Sequence, residues 1–99
     1  MSKNIIEIAT LQIKEGVSEA EFLALSAAFV NSLKRETKGF IKYCLTKSKD
    51  HKWVELVWWE SMEAAQEALK KVPDIIEFQQ YCSILKEDEL IYVEERVWM

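Results

Sequence analysis

A chain of 99 residues is long enough for one core, and folding at this size buries roughly two thirds of the surface that the unfolded chain exposes. Of its residues 49% are hydrophobic, with two Gly and one Pro, so neither a flexible linker nor a disordered tail has the composition it needs. Seventeen acidic against 13 basic side chains leave a net charge of -4, and no Lys/Arg stripe follows any predicted element, which excludes the electrostatic footprint of a nucleic-acid binder.

Ile5 to Lys14 reads as a strand covered on both faces, with Ile6, Ile8 and Thr10 on one side and Ile5, Glu7, Ala9 and Leu11 on the other. Glu7 interrupts the early apolar run before the core of a signal peptide can form, and no apolar segment is long enough to span a bilayer, so a cytoplasmic chain without a membrane partner is expected. Glu15-Gly16-Val17 turns the chain. Ser18-Glu19-Ala20-Glu21 then matches a capping box, and the following helix places Phe22, Leu25, Phe29 and Leu33 on one stripe. Lys34, Arg35 and Lys38 suit the negative end of that helix, and Gly39 supplies its stop.

Phe40 to Lys47 is the second strand, with Ile41, Tyr43 and Leu45 opposite Lys42, Cys44 and Thr46. Ser48-Lys49-Asp50-His51 has hairpin length, so the third strand, Val54 to Trp59, should pair antiparallel with the second. Ser61 stops that strand and caps a helix whose first turn holds Glu63 and whose stripe is Met62, Ala65, Leu69 and Val72. Pro73 breaks it. Asp74 is the expected cap of a further short helix carrying Ile75, Phe78 and Cys82, and Leu90 to Met99 is the last strand.

Strand, helix, strand, strand, helix, short helix, strand is the α+β, ferredoxin-like βαββαβ order, one domain over residues 1–99 with a four-stranded antiparallel sheet. Helices on one side leave the other sheet face open, yet the strands are apolar on both faces. Trp53, Val57 and Trp59 oppose Val54, Leu56 and Trp58, while Ile91, Val93 and Val97 oppose Tyr92 and Trp98. A face of that kind calls for a second copy, sheet against sheet, around a two-fold axis, with Val57 and Val93 as candidate partner-facing residues.

Trp59-Glu60-Ser61 running into Met62-Glu63-Ala64-Ala65, with Gly39-x-x-x-Tyr43 and Lys14-Glu15-Gly16 before it, resembles the antibiotic biosynthesis monooxygenase family of dimeric α/β barrels. The resemblance implies a homodimer and, in the enzymes of the family, oxidation of a phenol or quinol by O₂ without a bound cofactor. It also covers haem-degrading enzymes and domains with no assigned reaction, so fold alone gives an analogy of function. Relatives often carry a histidine on the helix after the Trp-Glu-Ser boundary and another after a Thr-Pro pair; Ala68-Leu69-Lys70-Lys71-Val72-Pro73-Asp74 has neither. Ile75 to Tyr81 offers no axial histidine, and Ala9 stands where the haem-degrading branch has a small polar residue, so haem chemistry is not expected.

Cys44 and Cys82 lack metal-ligand spacing and read as reduced, buried small hydrophobes, the other reading being a reactive thiol. His51, the only histidine, falls in the predicted hairpin turn, either as a solvated loop residue or as an acid or base at a pocket rim. Ser61 has a sufficient role as a cap. Glu7 and Glu55 fall within strands, where proximity would raise one pKa and create a general base; alternatively they point into a wet interior or pair across an interface, as Glu94, Glu95 and Arg96 would. No phosphate loop, flavin fingerprint or metal motif is present, so no cofactor and no metal is expected.

An enzyme of this kind needs an apolar pocket, a base for the phenolic proton and donors for developing negative charge. Glu55 and Tyr43 are the catalytic candidates, and Trp59, Trp58, Phe78 and Tyr81 the residues expected to line a pocket for a small aromatic substrate. The alternatives are a non-catalytic domain that binds a small ligand and a purely structural dimerisation domain with a filled core. Titration with haemin should give no saturable one-to-one Soret shift, and an axial-ligand signature would overturn the assignment of the later helix.

Overall fold

A computed structural model describes residues 4–48 and 52–96. In chain order the elements are β1 (Ile5–Ile13), α1 (Glu19–Glu36), β2 (Phe40–Lys47), β3 (Trp53–Trp59), α2 (Met62–Lys71), a 3₁₀ turn (Val72–Asp74), α3 (Ile76–Ser83) and β4 (Leu85–Glu94). The strands form one antiparallel sheet in the order β2-β3-β1-β4, the ferredoxin-like arrangement. Lys49, Asp50 and His51 of the expected hairpin turn, and Val97, Trp98 and Met99, lie outside the described residues.

The period of two divides every strand between the faces. Ile5, Ala9 and Leu11 of β1 and Trp53, Glu55, Val57 and Trp59 of β3 are all buried on the helix side. Register carries the division across the sheet, because Ala9 lies opposite both Glu55 and Leu90 and Glu7 opposite both Val57 and Tyr92. Val57 is therefore core at 2% exposure and cannot meet a partner, whereas Val93 shares the open face with Ile6 and Trp58.

Helices α1 and α2 begin where expected. Ser18 Oγ accepts from the Glu21 N–H and Ser61 Oγ from the Ala64 N–H, both at 3.1 Å, each satisfying one unpaired donor of a first turn. On α1, Phe22, Phe29 and Leu33 are buried as the stripe requires, but so are Ser26 and Ser32. On α2 the inward face is Ala65, Ala68 and Val72, while Met62 and Leu69 stay exposed. The small alanines let α2 approach the sheet closely.

Four further expectations change. Ile75, not Asp74, occupies the N-cap of α3, with no side-chain cap, because Val72–Asp74 continues α2 as a 3₁₀ turn. Strand β4 begins at Leu85 rather than Leu90, since the far end of β1 needs a ladder partner and takes it from Leu85 and Lys86. A bulge between Phe40 and Lys42 turns Ile41 outward and brings Phe40 edge-on to Trp59, with ring centroids 5.9 Å apart. Both cysteines are thiols as expected, but neither is fully buried: Cys44 is exposed and Cys82 half-buried.

Gly39 fixes the join between α1 and β2. Its φ is +82°, its carbonyl accepts from the Glu60 N–H at 2.8 Å, and an added Cβ would stand 2.6 Å from the Ala64 Cβ. Gly16 has a similar φ of +85° but open space around it. Gly16→Ala should then lose about 1–2 kcal/mol, the left-handed backbone penalty alone. Gly39→Ala should lose more, through the added clash with α2, in urea unfolding followed by circular dichroism.

Candidate active site

A buried carboxylate is the focus of the helix side of the sheet. Glu55, 6% exposed, projects from the interior strand β3, and its Oε2 accepts hydrogen bonds from Tyr43 Oη at 2.6 Å and from Tyr81 Oη at 2.8 Å. Each hydroxyl comes from a different element: Tyr43 from the edge strand β2, Tyr81 from the last turn of α3. Ser26 of α1 stands 3.0 Å from the Tyr43 hydroxyl, which lies 3.5 Å from that of Tyr81. Four elements thus converge on one carboxylate oxygen.

Aromatic packing sets the position of Tyr81. Its ring stacks at 5.9 Å on Phe22 and at 5.2 Å on Phe29, while Phe22 also meets Trp53 at 4.8 Å and Phe29 meets Phe78 at 5.3 Å. Such pairs contribute about 0.5–1.5 kcal/mol each beyond the area they bury. Burial, followed by the negative charge of Glu55, pushes both phenol pKa values far above the usual range. Both tyrosines accordingly remain hydrogen-bond donors, and a proton acceptor among these three groups has to be Glu55.

Beside Glu55 lies a cavity of about 140 Å³, lined by apolar and aromatic side chains including Phe29, Val57, Trp59, Phe78 and Tyr81, with Glu7 as a second carboxylate. Trp59 Nε1 donates to Glu7 Oε1 at 3.0 Å. Leu69 also lines the cavity and is 48% exposed, which puts the mouth beside α2. The structure thus brings Glu55, Trp59, Phe78 and Tyr81 to one cavity, with Tyr43 bonded to Glu55 behind it. Trp58 does not join them. One residue from Trp59 on a strand, it points to the opposite sheet face, where Lys42 Nζ stands 4.5 Å from its ring centre.

A larger depression of about 640 Å³ lies between the end of α1 and α2, but exposed charged residues such as Glu36, Lys38, Glu63 and Lys70 line it, and it holds no buried polar group among the described residues. The buried carboxylate Glu55 lines the smaller cavity. Among the described residues no three metal-ligating side chains cluster, and no helix is long and apolar enough to cross a membrane. Arg96 pairs with Glu94 of its own chain at 2.9 Å, and Asn4 reaches Glu95 at 3.5 Å.

Two groups of the site region escaped the sequence reading. Ser26 lies four residues after Phe22 and three before Phe29, so helical spacing alone puts it on the buried face, where it reaches Tyr43. Ser32, 1% exposed, donates to Glu77 Oε1 of α3 at 2.5 Å and accepts from Arg35 at 3.2 Å. This bond ties α1 to α3 one helical turn before Tyr81. The Ser32 hydroxyl is the main cause that holds the Glu77 carboxyl below its ordinary pKa, with Arg35 at 3.8 Å a smaller one.

The antibiotic biosynthesis monooxygenase family model matches residues 4–81, and the chain belongs to that family. Among solved structures, SnoaB, a cofactor-independent oxygenase from Streptomyces nogalater, superposes with a TM-score of 0.82 at 16% identity over 99% of this chain and 98% of its own. A candidate antibiotic biosynthesis monooxygenase from Bordetella bronchiseptica gives 0.74 at 20% identity over 98% and 99%. A conserved protein from Methanosarcina mazei gives 0.69 at 16% over 96% and 93%. At these identities the likeness is one of fold. No curated protein matches the sequence.

Tyr81→Phe leaves a buried carboxylate one donor short and should lower stability by about 1–3 kcal/mol, measured by urea unfolding. The Glu77 carboxyl, depressed in the folded state, contributes stability that is present above its unfolded pKa and lost as pH falls through the folded one. The gap in melting temperature between parent and Ser32→Ala should therefore be widest at neutral pH and close in acid.

Proposed function

We propose that this protein is a cofactor-independent monooxygenase acting on a small aromatic phenol or quinol, with Glu55 as the base. The observation that carries the reading is a buried carboxylate held by two tyrosine hydroxyls beside an aromatic-walled cavity. Glu55 takes the phenolic proton. The phenolate, now electron-rich, passes one electron to O₂, and the resulting radical pair joins through a new C–O bond to give a peroxide. The O–O bond then breaks as the oxygenated ring carbon loses its hydrogen as a proton. That proton and the one returned by Glu55 leave with the departing oxygen as water, and the ring keeps the other oxygen as a carbonyl. One substrate and one O₂ give one quinone-type product and one water. Once Glu55 holds the phenolic proton its pull on the Tyr81 O–H weakens, and that one hydrogen turns to the developing negative charge.

The same reading includes a homodimer through the open sheet face. Ile6, Ile8, Leu56, Trp58 and Val93 are only half-buried there, Ile91 is 43% exposed, and Trp58 Nε1 is buried with no acceptor among the described residues. A contiguous apolar face of that kind exceeds what a monomer normally leaves in water, and a second copy is the simplest cover.

Oxygen consumption would be followed with a panel running from single-ring hydroquinones through naphthoquinols to anthrones. Glu55→Gln should slow turnover by about a hundredfold or more, with Tyr43→Phe and Trp59→Phe measured beside it. No uptake above the uncatalysed rate across the panel, together with tight binding of any member, would replace this reading with a non-catalytic ligand-binding domain. Sedimentation at micromolar concentration should give twice 11.6 kDa, and Val93→Glu should dissociate the dimer; an 11.6 kDa species from the parent chain would end the dimer proposal.

A further inference from the structure

The cavity's size and charge say more about its ligand than the fold does. Its volume of about 140 Å³ is close to that of an engineered cavity of about 150 Å³ known to hold benzene, so its enclosed space fits one six-membered ring better than a fused tricycle. Its charged lining is one-sided: Glu7 and Glu55 both face it, and no Lys, Arg or His among the described residues does. The two carboxylates stand on one face of adjacent strands, diagonal to each other, because Glu7 is paired with Val57 and Ala9 with Glu55. Neither is a drifting surface group. Glu55 is fixed by Tyr43 and Tyr81, and Glu7 by the indole N–H of Trp59, which is itself 2% exposed.

Such a lining offers acceptors at two places and a negative potential throughout. A ligand with hydrogen-bond donors finds partners; a ligand with its own carboxylate or phosphate meets two like charges.

We propose that the cavity selects a single-ring aromatic that carries hydrogen-bond donors and no negative charge, with Glu7 as the residue that sets this specificity. The proposal rests on reading the cavity as the substrate site. It narrows the substrate from phenols in general to monocyclic phenols that are neutral or cationic, and it gives Glu7 a role separate from that of Glu55. Glu7 excludes anions; Glu55 moves the proton.

The test is binding under anaerobic conditions, so that oxidation does not intervene, read by tryptophan fluorescence and calorimetry. 4-Hydroxybenzylamine, 4-hydroxybenzyl alcohol and 4-hydroxybenzoate share one ring and differ in charge. The first two should bind, the benzoate about a hundredfold or more weaker, and anthrone not at all. Glu7→Gln keeps an acceptor for Trp59 and removes the charge, so it should recover about tenfold in benzoate affinity and narrow the gap between benzoate and the neutral alcohol. The parent series needs no variant to fold. Equal binding of benzoate and alcohol by the parent chain, or tighter binding of anthrone than of the single rings, overturns the proposal. Binding in the expected order with no O₂ uptake in air would instead sink the monooxygenase reading and leave the cavity's selectivity standing. Turnover of anthrones but not of single rings would do the reverse.

Discussion

Placing an ionisable carboxylate among phenyl and indole rings is costly unless it finds hydrogen-bond donors, and the arrangement around Glu55 Oε2 supplies two. Two phenolic O–H groups serve Oε2, and because one comes from an edge strand and the other from a helix, sheet and helix must meet at a fixed separation. Ser26 then holds the Tyr43 hydroxyl from α1. The aromatic column of Trp53, Phe22, Tyr81, Phe29 and Phe78 is the apolar counterpart of the same requirement, since it prevents Tyr81 from turning away. The polar centre and the core around it fix each other.

Rigid donors next to a protected carboxylate form an environment in which little reorganisation is left for a reaction to drive. Desolvation, and after it the charge of Glu55, raises both phenol pKa values, which keeps the two hydroxyls as donors to the carboxylate. The bond from Ser32 to Glu77 acts at one remove: it holds α3 to α1 one turn before Tyr81, and so bears on where the Tyr81 hydroxyl stops.

Element order, both side-chain caps and the strand alternation were legible in the sequence because each depends on local chemistry with a short period. Ser18 and Ser61 are marked as caps by the acidic and apolar residues of the turns they open, and β2 ends where its alternation ends. Whatever depended on a distant partner was harder to read. The early start of β4 answers to the length of β1, and the bulge that exchanges Ile41 for Phe40 answers to the ring of Trp59. At the site, Glu55 stood out as a carboxylate inside an apolar strand, and the aromatic types were plain. Ser26 and Ser32 were missed because a serine on an apolar stripe reads as a tolerated small residue until a partner stands opposite, and both partners, Tyr43 and Glu77, lie on other elements.

Trp58 and Trp59 show how much a single residue step decides. Adjacent in sequence and identical in type, they are assigned to opposite sides of the sheet by the pleat: Trp59 faces Glu7 and the cavity, Trp58 faces Lys42 and the open surface. The same alternation gives Glu55 to the site and Leu56 to the open face. Under the proposed dimer, β3 would carry both functions at once, so packing a second sheet onto Leu56 and Trp58 would restrain the backbone from which Glu55 and Trp59 project. A one-residue slip of β3 would exchange the faces entirely, burying no carboxylate beside Tyr43 and Tyr81 and exposing the one that is now buried. The register of that interior strand, held by β1 on one side and β2 on the other, is therefore what divides seven consecutive residues between a cavity wall and an open sheet face.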